Sequence, residues 1–234
     1  SQQAHELAPV RPPHLDALRD IVGADHVLTD EAACERYGRD ETERLCFPPA
    51  AAVRPASTDE VSRVLALAHD ERLPVTPRGA GTGLSGGALP VRGGLVLSLE
   101  RLDRIRAIDA RDLVAVAESG VIVGDLQRAV EAQGLFYPPD PGSKDISMLG
   151  GNIAENAAGP RSCKYGATRA WVLGLEAVLA DGRRLDTGGR NRKDVAGYDL
   201  TRLLVGSEGT LAMFTEATLN TLPNVFAAGA PDSS

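Results

Sequence analysis

The sequence predicts an α+β protein of two lobes built around shaped loops, not a doubly wound dinucleotide fold. Three observations lead there. Short strand-type apolar runs are interleaved with a few amphipathic helical patterns. A glycine loop, Arg78 to Gly87, is fed by a strand but followed by another strand, not a helix. The chain has 234 residues, enough for two small lobes sharing a core.

The elements follow in order. Residues 1–46 are polar and helical in pattern, and Leu15, Leu18, Ile21 and Val22 predict an amphipathic helix from His14 to Val22. The first lobe spans 47–105. It opens with a strand ending at Val53-Arg54-Pro55. Ser57-Thr58-Asp59-Glu60 spells a capping box, and Val61, Val64, Leu65 and Ala68 mark one helix face. Leu73 to Pro77 is a strand entering the glycine loop, and Gly94 to Leu99 is a buried strand.

The second lobe spans 106–223. Leu113 to Ala117 is a strand, and Val121 to Gln133 a helix with Leu126, Ala129 and Val130 inward, closed by Gly134. Phe136 to Gly166 reads as a long irregular loop. Leu173 to Leu179 and Arg183 to Leu185 form a hairpin about Asp181-Gly182. Asp199 to Val205 is a short helix, Gly206 to Thr210 a turn, and Leu211 to Leu222 a strand. The tail, 224–234, is rich in Ala, Gly, Pro and Ser and is expected to be disordered.

Composition excludes several functions. The net charge of −7 argues against tracking a nucleic-acid backbone, so an anionic ligand must be held by local donors. Cys34, Cys46 and Cys163 are too few and too scattered for a disulfide framework, which predicts reduced thiols in a cytoplasmic protein. All four histidines (His5, His14, His26, His69) precede Asp70, and no metal-ligand spacing exists. No apolar run reaches transmembrane length, and no signal peptide opens the chain.

Two loops carry the chemistry. In Arg78-Gly79-Ala80-Gly81-Thr82-Gly83-Leu84-Ser85-Gly86-Gly87, five of ten residues are glycine. So bare a backbone turns through positive φ and gathers N–H groups on one concave side, a nest for a pyrophosphate. Thr82 and Ser85 add hydroxyls and Arg78 a charge. A tight turn would need only one or two glycines. The spelling Gly81-x-Gly83-x-x-Gly86 matches a dinucleotide fingerprint, but Gly86 to Pro90 cannot start the helix that fingerprint requires. The second segment, Tyr137-Pro138-Pro139-Asp140-Pro141-Gly142-Ser143, leads to Ser147-Met148-Leu149-Gly150-Gly151-Asn152-Ile153-Ala154-Glu155-Asn156-Ala157-Ala158-Gly159. On a helical turn Asn152 and Asn156 share a face, and their amides suit the heteroatoms of a flat ring that Gly150-Gly151 lets approach.

These motifs occur in order with Lys164-Tyr165-Gly166-Ala167-Thr168 and Gly206-Ser207-Glu208-Gly209-Thr210-Leu211. Together, from about Val53 to Pro223, they resemble the FAD-linked oxidase family of the vanillyl-alcohol oxidase type, in its glycolate oxidase, D-lactate and D-2-hydroxyglutarate dehydrogenase branch. The resemblance implies a two-lobed FAD-binding domain and oxidation of a D-2-hydroxy acid by hydride transfer to flavin N5. It implies that Pro77, Arg78, Gly79, Ala80, Gly81, Thr82, Gly83, Leu84, Ser85 and Gly86 hold the pyrophosphate. Pro139, Asp140, Gly150, Gly151, Asn152 and Asn156 would line the flavin and ribityl portion, together with Pro141, Ser143, Ser147, Ala157 and Gly159. Glu208, Gly209, Thr210 and Phe214 would close the other side.

Some members attach FAD through a loop histidine. Ala80 and Leu84 stand here instead, so non-covalent FAD is expected, and Cys163 reads as packing. In such enzymes a cap domain follows the strand near Pro223 and supplies the substrate site, in several members with a metal. Here the sequence runs only eleven residues past Pro223, so this chain is expected to depart from the family by lacking the cap. A cofactor-only module needing partner subunits is therefore the alternative to an enzyme, and a sugar flavoenzyme of the same superfamily a third reading. Arg161 and Lys164 are candidate cations for the reduced flavin. Glu155, Glu208 and Tyr165 are candidate bases, none of them compelling.

Overall fold

The computed structural model describes residues 7–193 and 195–224. Of the tail expected to be disordered, all but Asn224 lies outside the described residues. Two sheets organise the chain. The first has the order β1-β2-β4-β3. It comprises β1 (Val27–Leu28), β2 (Ala51–Val53), β3 (Val75–Arg78) and β4 (Leu95–Ser98). β2 and β3 lie parallel to β4, and β1 runs antiparallel at the edge. The second is antiparallel, β5-β6-β10-β8-β9. Its strands are β5 (Ile105–Asp109), β6 (Val114–Glu118), β8 (Val172–Val178), β9 (Arg184–Gly188) and β10 (Met213–Asn220). A third pair joins β7 (Leu135–Phe136) to β11 (Leu222–Pro223).

Each sheet has its own apolar core. Helix α1 (Pro12–Val22) and helix α3 (Thr58–Asp70) bury Leu18, Val22, Val61, Val64 and Leu65 against Ala51, Val53, Leu95 and Leu97. The N-terminal segment is thus part of the first lobe's core. It also contains two elements that helical periodicity alone does not predict, β1 and helix α2 (Glu31–Tyr37), capped by Asp30. Helix α3 begins where the capping box predicts, with the Ser57 hydroxyl accepting from the Glu60 N–H (3.2 Å). The reciprocal half is displaced by one residue: the Glu60 carboxylate accepts from Ala56, not Ser57 (2.8 Å). In the second lobe, helix α4 (Val123–Glu131) packs Val123, Leu126 and Val130 beneath β6 and β10. Ala129 is only partly buried.

The expected irregular loop from Phe136 to Gly166 is corrected by the structure. Helix α5 (Leu149–Glu155) and helix α6 (Ser162–Tyr165) form within it. Gly150-Gly151 disfavours a helix by about 1 kcal/mol per glycine. Burial of Leu149 and Ile153, both fully inaccessible in the second core, outweighs that cost. Helix α7 (Leu200–Leu204) follows its Asp199 cap. The lobes meet where α3 lies along β8. There Ser62 donates to the Gly182 carbonyl (2.6 Å), Arg184 pairs with Asp59 (2.7 Å), and Val178 and Met213 enter the first lobe's core.

Candidate functional site

A cleft of about 430 Å³ opens between the lobes. One wall is the loop that leaves β3. Pro77, Arg78, Gly79, Ala80, Gly81, Thr82, Gly83 and Leu84, expected at the pyrophosphate, all line it. Gly81 sits at φ +76°, where an L side chain is strained. A Cβ there would strike the Arg78 guanidinium. That guanidinium is folded back beneath the loop. It donates to the Arg39 carbonyl (2.6 Å) and lies over the Tyr37 ring (5.7 Å), and burial pushes its pKa below the ordinary value. Arg78 braces the loop as well as charging it. Ser85 and Gly86 lie outside the wall. Ser85 donates to Glu208 (3.4 Å), and the Gly86 carbonyl caps a turn at Leu89 (3.1 Å).

The opposite wall is α5 and its flanks. Pro141, Ser143, Gly150, Gly151, Asn152 and Ala157 line the cleft. Gly150 is there for close approach: its N–H donates to the Ser119 carbonyl (2.7 Å), and a Cβ would lie 2.7 Å from Ser119 Cβ. Gly151 differs, since a Cβ there would meet no protein atom within 4 Å. Asn152 is fixed by donating to Ser147 (3.0 Å), which is buried behind it. Asn156 does not share its face. It caps α5 in the left-handed conformation (φ +53°) and accepts from the Arg169 N–H (2.8 Å), away from the cleft. The helix simply ends before the turn that would align the two amides.

Pro139, Asp140 and Gly159 also lie outside the wall and shape it from behind. The Pro139 carbonyl accepts from Gln127 (2.7 Å). Asp140 pairs with Lys144 (2.7 Å) and Arg161 (3.3 Å). Gly159 packs onto the Asp140 carbonyl so closely that a Cβ would overlap it. Glu208, Gly209 and Phe214 close the cleft. Thr210 turns to the Ser207 carbonyl (2.6 Å) and faces a neighbouring apolar cavity. Arg161 and Lys164 stand over the Phe136 and Tyr165 rings, and Tyr165 packs between Phe136 and Trp171; none of the three lines the cleft. Cys163 is exposed, not packed.

Other wall residues are not among the expected cofactor contacts: Gly87, Ala88, Leu99, Ser119, Gly142, Met148, Ala154, Glu155, Ala158, Ala212 and Met213, although several stand within the sequence motifs and Glu155 is a candidate base. Of these, Ser119 has the clearest chemistry. It follows β6, is 1% exposed, and its hydroxyl has no hydrogen-bond partner among the described residues. A buried polar group in that state suits a polar ligand. The only foretaste in the sequence is Ser119-Gly120 at the end of an apolar strand.

The architecture and cleft define a two-lobed α+β cofactor-binding domain in which bare backbone faces a polar ligand. The comparisons agree. The chain belongs to the FAD binding domain family, whose model matches residues 49–188. The glycolate oxidase subunit GlcD of Bacillus subtilis is 52% identical over 208 residues, which cover 89% of this chain and 44% of the relative. D-lactate dehydrogenase of Archaeoglobus fulgidus is 46% identical over 195 residues, 82% of this chain and 44% of the relative. D-2-hydroxyglutarate dehydrogenase of Xanthomonas citri pv. viticola is 41% identical over 207 residues, 88% and 44%. The chain therefore spans less than half the length of these relatives. Among solved structures, an alkyldihydroxyacetonephosphate synthase superposes with a TM-score of 0.81 at 26% identity, covering 93% of this chain and 42% of that one. p-Cresol methylhydroxylase, at 22% identity and TM-score 0.79, shares the fold. The fold is thus the vanillyl-alcohol oxidase type and not a Rossmann fold, and FAD is the cofactor. No helix among the described residues is long and apolar enough to cross a membrane.

Proposed function

We propose that this chain is the FAD-binding part of an FAD-dependent oxidoreductase acting on a D-2-hydroxy acid of the glycolate or D-lactate class. The lobes at 47–105 and 106–223 act as the two walls of its cofactor site. The observation that carries this reading is the cleft's two glycine-bearing walls, in a chain 41–52% identical to enzymes named for such substrates. The residues fit FAD. The loop from Arg78 to Gly86 offers N–H groups to the pyrophosphate, Gly151 leaves its face open to a ring, and Ser119 brings a hydroxyl that no described residue engages.

When bound, FAD supplies the hydride acceptor. The chain's part is to bind and orient it. Asn152, held by Ser147, would offer the cofactor a fixed amide, and Phe214 and Met213 would help to exclude water from the cleft. Of the candidate bases, Glu155 and Glu208 face the cleft. Ala80 and Leu84 in place of a histidine support non-covalent attachment.

One observation favours the second reading, a cofactor module whose substrate site is completed by other residues or subunits. Arg78 is the cleft's one basic side chain among the described residues, and it is committed to Arg39 and Tyr37. A substrate carboxylate needs a cation from elsewhere.

The visible spectrum tests the cofactor: flavin bands whose colour leaves with the supernatant on acid precipitation are expected. Anaerobic addition of glycolate, D-lactate or D-2-hydroxyglutarate then separates the readings. Bleaching of the flavin supports the enzyme; flavin that stays oxidised supports the module.

A further inference from the structure

Among the cleft's wall residues, Glu155 is the one that its surroundings leave unexplained. It ends α5 and is exposed overall, yet its Oε1 is pressed against Gly83 so closely that a Cβ on Gly83 would collide with it. Its carboxyl thus sits at the loop read above as the pyrophosphate cradle, reaching it from the opposite wall. No hydrogen bond or ion pair engages that carboxyl among the described residues. The charged groups that face it are both acidic: Glu208, from the turn before β10, and Asp40, from the segment after α2. Arg78, the cleft's cation, is turned away to the Arg39 carbonyl and the Tyr37 ring.

A phosphate entering this place would meet the carboxylates of Glu155 and Glu208, with the Asp40 charge acting from outside the lining, and no free cation among the described residues. Like charges that face one another repel, and a carboxyl escapes the repulsion by taking a proton, which also turns it from an acceptor into a donor. We propose that Glu155 binds FAD as a neutral carboxylic acid, donating its O–H to the phosphate side of the cofactor, so that FAD binding takes up one proton. This rests on the cofactor site assigned above. Burial, and then the Glu208 and Asp40 charges, already push the Glu155 carboxyl above its ordinary pKa. A bound pyrophosphate adds negative charge and pushes it further the same way.

The linkage has a definite sign. Where free Glu155 is ionised and bound Glu155 is protonated, binding consumes a proton, so the dissociation constant rises with pH. The pyrophosphate and rings of FAD do not titrate in that window. The test uses the flavin-loaded chain, diluted at constant ionic strength between about pH 5.5 and 8.5, with released FAD read by its fluorescence. For the wild type, Kd is expected to rise by up to about tenfold per pH unit above the free-state pKa of Glu155. Glu155→Gln keeps a donor without titrating, so its Kd is expected to stay flat, within about threefold of the wild-type acid limit. Glu155→Ala is expected to be flat and about tenfold weaker than that limit. Glu208→Gln is expected to retain a pH slope.

A flat wild-type profile overturns the proposal, as does a slope that persists in Glu155→Gln. So does a Glu155→Ala chain that binds as tightly as the wild type at low pH, which would make Glu155 an obstacle rather than a donor. Absence of FAD at every pH, with the chain folded by circular dichroism, overturns the cofactor site itself and the proposal with it.

Discussion

The loop after β3 and the segment after β7 both bring glycines to the cleft, but those glycines do different work. In the first loop the backbone itself is the surface. Gly81 takes a conformation reserved for glycine, and its missing Cβ makes room for the bracing Arg78 guanidinium. In the second, the glycines belong to or border a helix. Gly150 lets α5 touch Ser119, Gly159 lets the chain lie against Asp140, and Gly142 and Gly151 turn open faces to the cleft. One wall is a shaped strip of amides. The other is a packed scaffold with two bare windows, Gly142 before the helix and Gly151 on it.

Substitutions break this contrast in descending order of effect. Gly159→Ala drives a Cβ into the Asp140 carbonyl, backbone against backbone, with no flexible side chain to yield. It should lower stability by about 2–3 kcal/mol in urea unfolding. A change below about 0.5 kcal/mol would mean that the second wall gives way easily and is not a scaffold. Gly81→Ala comes next. Left-handed strain costs about 1–2 kcal/mol, and the guanidinium must also move. Because that distortion falls on the cradle, FAD affinity should drop about 10- to 100-fold, read by flavin fluorescence.

Gly151→Ala sharpens the contrast, because it separates binding from folding. Its Cβ meets no protein atom, so the melting temperature should hold, with a stability change within about 0.5 kcal/mol. FAD affinity should fall about tenfold, as a methyl group intrudes on the face offered to the ligand. Unaltered affinity would move the cofactor away from α5.

The same contrast explains what the sequence disclosed. The first loop is local: its function is written in consecutive residues, and from Pro77 to Leu84 every expected residue reaches the wall. Helix α3 was equally legible, since Val61, Val64, Leu65 and Ala68 recur at helical spacing and bury one face, as were the longer apolar strands, whereas β1, β5 and β7 were not. The second wall depends on tertiary packing, which no local pattern records. Two adjacent glycines spoke against the helix that burial of Leu149 and Ile153 stabilises. Once α5 formed and ended at Asn156, its residues divided between the cleft and its support. Ser119 comes from the turn after β6, outside every sequence motif, and Glu155, legible only as a candidate base, comes from the helix's last turn.

Asp140 gives the smallest and most discriminating test. The resemblance places it against the flavin, whereas the structure sets it behind the wall, its side chain 15% exposed and paired with Lys144 and Arg161. Both cations are themselves a third or more exposed, so losing the carboxylate leaves no charge stranded in the interior. Partly exposed pairs contribute little, so Asp140→Ala should cost about 1 kcal/mol of stability. Its effect on FAD Kd should stay within about threefold, because the Asp140 carbonyl that packs on Gly159 belongs to the backbone and survives the substitution. A tenfold loss of affinity with stability unchanged would instead require the carboxylate to act on the cofactor, and Asp140 would join Asn152 and Gly151 in the binding wall.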